Sequence, residues 1–426
     1  MKRRGFLGLL GASAGAWCAT TPDATSPRQR VVIIGGAWAG LSAARELRRL
    51  APTLDVLVMD RTAQMRALPL STPWLVDRTP QRLPPIDRAE LAQRLGYRFV
   101  AADVTSIERA QRQVQTAQGI FPYDWLLLAS GIDYDYRAWF GDDTAAARKT
   151  QAAFPAGFMA DEMDTLKSGL VDYKGGDLVM NVPAPPYRCP PAPYERAMLL
   201  GWWLKTHGIK GRLVVLDATG GMPRFTRLFA ERYPDQIEHR PYSVIRSIDP
   251  HARRLVTDDD ELHFAHAMLV PPMGASALAE QAGLLGRDAR GQPTRWAAAD
   301  PLRLQALADD RIYLAGDLLD TVSPLFGHYP KTAHMAVRQG QLAAQQIAAR
   351  SGQVAALPVT LPQSICHVWL DAEPLEQLRM EAQYRLRGDG VIAQAMTQHD
   401  NPQPRDEDLQ WAQGLYADAL GASAVP

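Results

Sequence analysis

Cysteine is scarce in this sequence of 426 residues, which contains only Cys18, Cys189 and Cys366. None of the three belongs to a Cys-x-x-Cys-His motif, so we expect the chain itself to carry no c-type haem. The histidines show no spacing that predicts a metal site. Cys189 and Cys366 lie far apart along the chain; in an oxidising compartment such a pair can persist as a disulfide, although the sequence alone does not show that they meet.

The sequence also lacks a net charge, because 46 basic residues balance 46 acidic ones. Without residues 1–27 the chain would keep 43 basic and 45 acidic residues. A nearly neutral chain has no overall electrostatic attraction to nucleic acid. We therefore expect no nucleic-acid partner, although a local charged patch could still contact another protein.

Long apolar runs are missing as well, since none reaches the roughly 20 residues that a membrane-spanning helix needs. The short run Leu7–Trp17 follows the pair Arg3-Arg4 and contains several small residues. This pattern is typical of a twin-arginine export signal, and a chance arginine pair at the terminus is the alternative. We interpret residues 1–27 as a signal and linker, which predicts a periplasmic protein without an integral membrane anchor.

The first patterned segment is a β-α-β unit with a glycine-rich turn. Arg30–Ile34 reads as a buried strand, residues 41–50 as a helix, and residues 55–59 as a second strand that ends in Asp60. The turn between the first strand and the helix contains Gly35, Gly36, Ala37 and Gly40.

Such a turn is typical of a dinucleotide site. A helix N-terminus offers free N–H groups to a pyrophosphate, and an acid after the second strand, here Asp60, accepts hydrogen bonds from the adenosine ribose. Gly35 permits the tight turn, and Gly40 lets the helix pack close to the strand. Ala37 departs from the glycine pattern and crowds the approach to the phosphate. A structural turn in another α/β protein is the alternative.

Two later segments favour FAD over NAD at this turn. Residues 123–131 read as an apolar strand ending in Gly131, and residues 311–317 as a strand ending in Gly316 and Asp317. They resemble the Ala-Thr-Gly segment and the ribitol-binding Gly-Asp segment of flavoproteins with two dinucleotide-type domains. For each segment taken alone, an ordinary buried strand end is the alternative.

The second half of the chain repeats the strand–helix pattern without a phosphate loop. Residues 177–182 read as a strand, residues 194–205 as a helix and residues 212–217 as a further strand. The connection over residues 183–193 is rich in proline, where a pyridine-nucleotide site needs glycine. Because proline lacks an N–H donor and fixes φ, we expect a Rossmann-like domain that does not bind NAD.

The same connection carries the most specific part of a family resemblance. The run Ala184-Pro-Pro-Tyr-Arg-Cys189-Pro-Pro-Ala-Pro-Tyr-Glu195-Arg-Ala197 is similar to the signature of the flavoprotein subunit of flavocytochrome c sulfide dehydrogenase. The similarity covers nearly all of the chain after the signal and includes Ala315-Gly316-Asp317, Pro330-Lys331, Gln339-Gly340, Cys366 and Trp411.

The resemblance implies an exported FAD enzyme that oxidises sulfide and passes electrons to a separate c-type cytochrome. It implies that Cys189 and Cys366 form a redox-active disulfide beside the flavin, with Glu195 near the disulfide and Trp411 near the flavin. Glu195 is a candidate base for substrate or thiol protons. The alternatives are a structural disulfide, a solvated Glu195 and a tryptophan that only packs.

Lys331 stands directly before a helix predicted over residues 332–349. A lysine and a helix N-terminus at that point could stabilise negative charge on a reduced flavin. A surface lysine without such a role is the alternative.

The predicted fold class is α/β, with two Rossmann-like domains of FAD/NAD(P) type and a smaller C-terminal domain. We expect a discontinuous FAD-binding domain over residues 28–142 and 276–355, and a second Rossmann-like domain over residues 143–275. A C-terminal flavocytochrome c-type domain should span residues 356–426. Its middle reads as polar and partly helical, and a last helix is predicted over residues 406–420.

One departure from the family concerns the flavin linkage. Many members attach FAD covalently through a cysteine, and the matching stretch Met65–Pro73 contains none. We therefore expect non-covalent FAD, which leaves the driving force of the reaction, and with it the substrate, open.

The alternatives to a sulfide:cytochrome c enzyme are a sulfide:quinone reductase relative, an oxidoreductase of another thiol, and a non-catalytic auxiliary flavoprotein of a sulfur-oxidising complex. The polar residues 405–408 argue against the quinone alternative, which would favour an apolar tail.

Overall fold

The structure is a computed structural model, and it describes residues 28–79 and 84–421. The signal predicted over residues 1–27 lies outside the described residues. Within the described part the α-helices are, in chain order, α1 (Trp38–Leu50), α2 (Ser71–Leu75), α3 (Arg88–Leu95), α4 (Arg137–Phe140), α5 (Thr144–Ala153), α6 (Met163–Asp172), α7 (Ala192–Thr206), α8 (Pro223–Arg232), α9 (Ala277–Gln281), α10 (Ala333–Arg350) and α11 (Glu407–Leu420).

The strands of the same residues form several separate sheets. In chain order they are β1 (Arg30–Ile34), β2 (Asp55–Asp60), β3 (Gln64–Met65), β4 (Ile86–Asp87), β5 (Arg98–Ala101), β6 (Val104–Glu108), β7 (Gln113–Thr116), β8 (Gly119–Pro122), β9 (Trp125–Leu128), β10 (Ile132–Tyr134), β11 (Gly176–Val182), β12 (Gly211–Asp217), β13 (Ile237–Arg240), β14 (Ile245–Asp249), β15 (Arg254–Thr257), β16 (Glu261–His263), β17 (His266–Met268), β18 (Met273–Ala275), β19 (Leu285–Arg287), β20 (Pro293–Ala297), β21 (Ile312–Leu314), β22 (Ser364–Ala372), β23 (Leu375–Leu386) and β24 (Ile392–Asn401).

The first sheet is parallel throughout and has the strand order β21-β9-β1-β2-β5. Its central strands are continuous apolar runs because helices cover a parallel sheet on both faces. Residues 31–34 of β1 and 125–128 of β9 are all buried. The sheet draws β21 from far along the chain, so its core joins the N-terminal segment to residues 312–314.

Helices α1 and α10 pack unusually close to each other on this sheet. A Cβ added to Gly340 of α10 would lie 2.1 Å from the Ala39 carbonyl oxygen of α1. The hydroxyl of Ser42 donates to the Ala39 and Val337 carbonyls and joins the two helices further. The contact fixes the start of α10 relative to the glycine-rich turn.

The second parallel sheet has the order β13-β12-β11-β17 and follows the predicted strand–helix–strand pattern. Helix α7 connects β11 to β12 and is buried along most of its length. The α/β class with Rossmann-type sheets is therefore confirmed. The exact domain bounds stay a prediction.

The prediction for the middle of the C-terminal region was wrong. Residues 364–401 form an antiparallel three-stranded sheet, β22-β23-β24, and no helix. The buried run at residues 368–372 lies at the end of β22, whereas β24 is mostly exposed and polar, which hid the strand signal. This sheet carries Cys366 opposite Met380 and contacts α7 through β22.

No helix within residues 28–79 and 84–421 is long and apolar enough to cross a membrane.

Candidate active site

A cavity of about 870 Å³ brings together most of the residues that the sequence singled out. Ten of them line it: Ala37, Asp60, Gly131, Cys189, Glu195, Gly316, Asp317, Lys331, Cys366 and Trp411. The remaining three, Gly35, Gly36 and Gly40, form the turn beside Ala37 and Asp60. Their assigned roles stay predictions, but their positions put both cysteines and the dinucleotide turn on one cavity.

Two glycines of the glycine-rich turn leave no room for a Cβ. Gly35 has φ +104°, and a Cβ there would lie 2.3 Å from the Ala129 carbonyl oxygen. A Cβ on Gly40 would lie 1.9 Å from the Gly35 carbonyl oxygen. Asp60 accepts a hydrogen bond from the Gly36 N–H at 2.8 Å. The turn thus has the close helix–strand approach that a pyrophosphate site requires.

Asp317, predicted to bind ribitol, already has a partner that the sequence did not reveal. Its Oδ2 accepts from Arg188 Nε at 2.6 Å, and Arg188 Nη1 donates to the Phe158 carbonyl at 2.7 Å. Arg188 directly precedes Cys189, so this ion pair ties the cysteine loop to the end of β21. No spacing signal could have indicated it, because residues 188 and 317 meet only through the tertiary fold.

The two cysteines lie in different elements around the cavity. Cys189 lies within the proline-rich loop with φ 50°, and its N–H donates to the Lys331 carbonyl at 2.8 Å. Cys366 lies on β22. Burial raises the pKa of the Cys366 thiol to about 11 and that of Cys189 well above its usual range, where the Cys366 charge adds to the effect. The structure shows two thiols, and the disulfide between them stays a prediction.

Glu195 on α7 is held inside the cavity wall and is not a solvated helix residue. Its Oε1 accepts from the Trp369 N–H at 2.9 Å, and the Thr72 side chain also hydrogen-bonds to it. Burial raises the pKa of Glu195 to about 7, against the opposing effects of the Trp369 N–H and Arg196. A carboxyl group with such a pKa can exchange protons near neutral pH. Thr72 is a further residue that sequence reasoning missed.

Glu195 also makes stability depend on pH. A carboxyl group that titrates at about 7 when folded but near 4.5 when unfolded keeps its proton longer in the folded state. Folding therefore loses stability as the pH rises from 4.5 to 7. We expect Glu195→Gln to remove up to about 3 kcal/mol of this loss. Urea unfolding of the unchanged protein and of Glu195→Gln, each at pH 5 and pH 8, measures the change in unfolding free energy between the two pH values. An equal change in the two proteins would contradict the prediction.

Lys331 is buried and is not a surface lysine. Its Nζ donates to the Asp317 and Leu319 carbonyls, both at 2.8 Å, and lies 3.6 Å from the centre of the Trp296 ring. Burial lowers the pKa of Lys331 to about 7. The ammonium group thus fixes the turn that carries Asp317, and its effect on a reduced flavin stays a prediction.

The cavity fits an FAD molecule on two observations of the chain itself. The glycine turn packs closely against Ala129 and Arg88 and so places the start of α1, at Ala37 and Trp38, on the cavity. Trp411 lines the cavity from α11, and its indole Nε1–H is buried with no partner among the described residues. A buried N–H without an acceptor is costly. Glycines 35, 36 and 40, Asp60, Gly131, Asp317 and Trp411 would hold the cofactor.

At the second parallel sheet we still expect that no pyridine nucleotide binds. Asp217 ends β12, where an NAD domain keeps an acid for the adenosine ribose. Its carboxylate is fully buried and accepts from Tyr194, His239 and Thr219, at distances from 2.8 to 3.1 Å. The loop before α7 remains the proline-rich stretch. Among the described residues, no three His, Cys, Asp or Glu side chains are grouped so as to hold a metal ion.

Two family models match the two Rossmann-type parts. Residues 29–139 match the pyridine nucleotide-disulphide oxidoreductase family, and residues 164–271 match the central part of the flavoprotein chain of sulfide dehydrogenase (flavocytochrome c). A curated relative, the NAD(P)H coenzyme A polysulfide/persulfide reductase of Pyrococcus horikoshii, is 31% identical over 109 residues. That alignment covers 24% of this chain and 24% of the relative.

Solved structures extend the similarity to almost the whole chain, as fold alone. The sulfide:quinone oxidoreductase of Aquifex aeolicus superposes with a TM-score of 0.73 at 18% identity, over 92% of both chains. The NAD-dependent persulfide reductase of A. fulgidus gives a TM-score of 0.60 at 15% identity, over 92% of this chain and 77% of the other. Residues 29–139 are thus similar to the disulfide-reductase family and residues 164–271 to the flavocytochrome c flavoprotein chain, and the prediction of FAD as cofactor is confirmed.

Proposed function

We propose that this disulfide-reductase-family flavoprotein oxidises sulfide, or a related sulfur compound, at Cys189 and Cys366 and delivers the electrons to a c-type cytochrome. The observation that carries the proposal is that both thiols line the same cavity as the dinucleotide turn. The family matches support sulfur chemistry of this general kind. Export by the twin-arginine signal to the periplasm belongs to the same proposal.

In the resting protein the two cysteines form a disulfide. Hydrosulfide attacks one sulfur, the bond between the cysteines breaks, and a persulfide forms on one cysteine while the other leaves as a thiolate. A second hydrosulfide attacks the outer persulfide sulfur and releases a disulfane. In total two hydrosulfide ions give one disulfane anion, one proton and two electrons. The two cysteine thiolates then close the disulfide again and lose an electron pair, which FAD held by the glycine-rich turn would take up and could pass on singly to a haem partner.

Glu195 takes the proton in this scheme. Its carboxylate lines the cavity with both cysteines, and its position is fixed by the Trp369 N–H. With a pKa of about 7 it is partly ionised at neutral pH and can both accept and release a proton. Arg188 holds the Cys189 loop against Asp317 and so keeps the sulfur in place.

A cytochrome is favoured as acceptor over a nicotinamide for two reasons. The phosphate loop is replaced by proline, and the Asp217 carboxylate is occupied by protein donors. The alternative acceptor, a membrane quinone, would favour an apolar tail, whereas residues 405–408 at the start of α11 are all charged.

Purified protein mixed with sulfide and oxidised cytochrome c tests the proposal. We expect cytochrome reduction that depends on both protein and sulfide and that NAD does not replace. Reduction of the bound flavin without cytochrome turnover would direct attention to another acceptor. A flavin that sulfide does not reduce would contradict the proposal and favour an auxiliary flavoprotein.

The linkage of the flavin has its own test. Residues 65–73 line the cavity at most positions, and none carries a thiol that could bond to FAD. We expect acid precipitation to leave the yellow flavin in the supernatant, as measured by its visible absorbance. Flavin that stays in the pellet would contradict non-covalent binding.

A further inference from the structure

Arg88 is a buried cation at the dinucleotide turn that neither the family motifs nor the proposed chemistry uses. It opens α3, whose first turn is capped by the Asp87 side chain. The arginine is only 5% exposed and lines the same cavity as Asp60 and Ala37. A guanidinium in such a position is costly unless its charge and donors are matched.

The described residues accept hydrogen bonds from only some of the N–H groups of that guanidinium. Nε donates to the Gly36 carbonyl at 2.5 Å, and Nη1 donates to the carbonyl and hydroxyl of Thr62 at 2.7 and 2.8 Å. Nη2 forms no hydrogen bond with any described residue and lies 3.5 Å from Asp60 Oδ2. An arginine has five N–H donors, so two of them remain for a ligand.

The glycine turn is shaped around this side chain. A Cβ on Gly36 would lie 2.7 Å from Arg88 Nε and 2.9 Å from its Cδ. Gly36 therefore has no side chain because Arg88 occupies the space. Its N–H meanwhile donates to Asp60, so Arg88, Gly36 and Asp60 form one connected group at the N-terminus of α1. That helix end is where a pyrophosphate binds in this fold.

We propose that Arg88 binds the diphosphate–adenosine part of the dinucleotide through Nη2 and so sets the affinity of the protein for FAD. Arg88 supplies a fixed positive charge where Ala37 weakens the glycine pattern. A charge-assisted hydrogen bond of this kind contributes about 1.5–3 kcal/mol, which corresponds to roughly 10- to 150-fold in the dissociation constant. The inference concerns the cofactor and does not depend on the sulfide reaction.

Dilution of purified holoprotein tests it, because free FAD regains its fluorescence. We expect Arg88→Met to raise the dissociation constant of FAD at least about tenfold and to make it less sensitive to salt than that of the unchanged protein. Arg88→Lys keeps the charge and should recover part of the FAD affinity and part of its dependence on salt. Arg98→Met removes an exposed arginine that lies outside the cavity and pairs with Asp55. It should change neither the dissociation constant of FAD nor its dependence on salt.

Two results would overturn the inference. One is an FAD dissociation constant for Arg88→Met within twofold of the unchanged protein. The other is equal weakening in the Met and Lys variants with unchanged salt dependence, which would make Arg88 a brace of the turn only. An unchanged protein that binds FAD but does not oxidise sulfide would instead count against the proposed function and leave the role of Arg88 intact.

Discussion

Cys189→Ser should abolish the reduction of the bound flavin by sulfide. Serine preserves the size of the side chain and keeps the N–H bond to the Lys331 carbonyl, but a hydroxyl cannot form the disulfide or the persulfide. Because no other thiol of the described residues lines the cavity except Cys366, we expect a rate loss of roughly 10³-fold or more. Anaerobic stopped-flow measurement of flavin bleaching after mixing with sulfide gives this rate directly.

The control is chemical reduction of the same variant. Dithionite does not need the cysteines, so it should bleach the flavin of Cys189→Ser as fast as that of the unchanged protein. A visible spectrum of normal intensity shows that the cofactor still binds. Cys366→Ser should repeat the loss, since the reaction needs both sulfurs.

A structural disulfide would give the opposite pattern. Removal of a native disulfide costs about 2–5 kcal/mol of stability, and this loss would appear in the melting temperature while sulfide still bleached the flavin. Cys189 sits at φ 50°, a strained value for a residue with a side chain. Such strain is common at reactive sites, which favours the redox role, but the bleaching rate decides between the two.

The parallel parts of the fold could be predicted from the sequence because their signals are local. Strand β1 coincides with the predicted residues 30–34, and α7 and α10 begin within two residues of the predicted starts. Continuous apolar strands and helices of period 3.6 leave such signals even in a single sequence. The antiparallel sheet of residues 364–401 left a weaker signal although its consecutive strands pair locally, because its outer strand β24 is polar and mostly exposed.

The residues of the candidate site also fall into those that the sequence could predict and those that it could not. The glycines and Asp60 could be found from the dinucleotide motif, and Cys189 and Cys366 could be found from the family resemblance. Thr72, Arg88 and Arg188 could not, because their partners Glu195, Gly36 and Asp317 are brought to them only by folding. Lys331 was found for its place before α10, but its burial and its bonds to two carbonyls follow from the turn after β21.

Gly40→Ala should release FAD although it adds a single methyl group. The new Cβ would lie 1.9 Å from the Gly35 carbonyl oxygen and 3.1 Å from the Ile33 side chain, and neither belongs to a flexible side chain end that could move away. Helix α1 would have to withdraw from the turn, which separates the N–H groups at its start from the pyrophosphate. Overpacking of a buried contact typically costs about 1–3 kcal/mol, or up to roughly a hundredfold in affinity.

The ratio of flavin to protein after purification, together with the dissociation constant of FAD, measures this effect. Gly414→Ala is the matched control, because it is the same substitution within α11, in which an added Cβ meets nothing within 4 Å. A glycine in a helix interior costs about 0.5–1 kcal/mol relative to alanine, so the control should bind FAD normally and unfold at slightly higher denaturant. Full flavin occupancy in Gly40→Ala would mean that α1 can move without losing the cofactor, and the close approach of helix and strand would then serve packing alone.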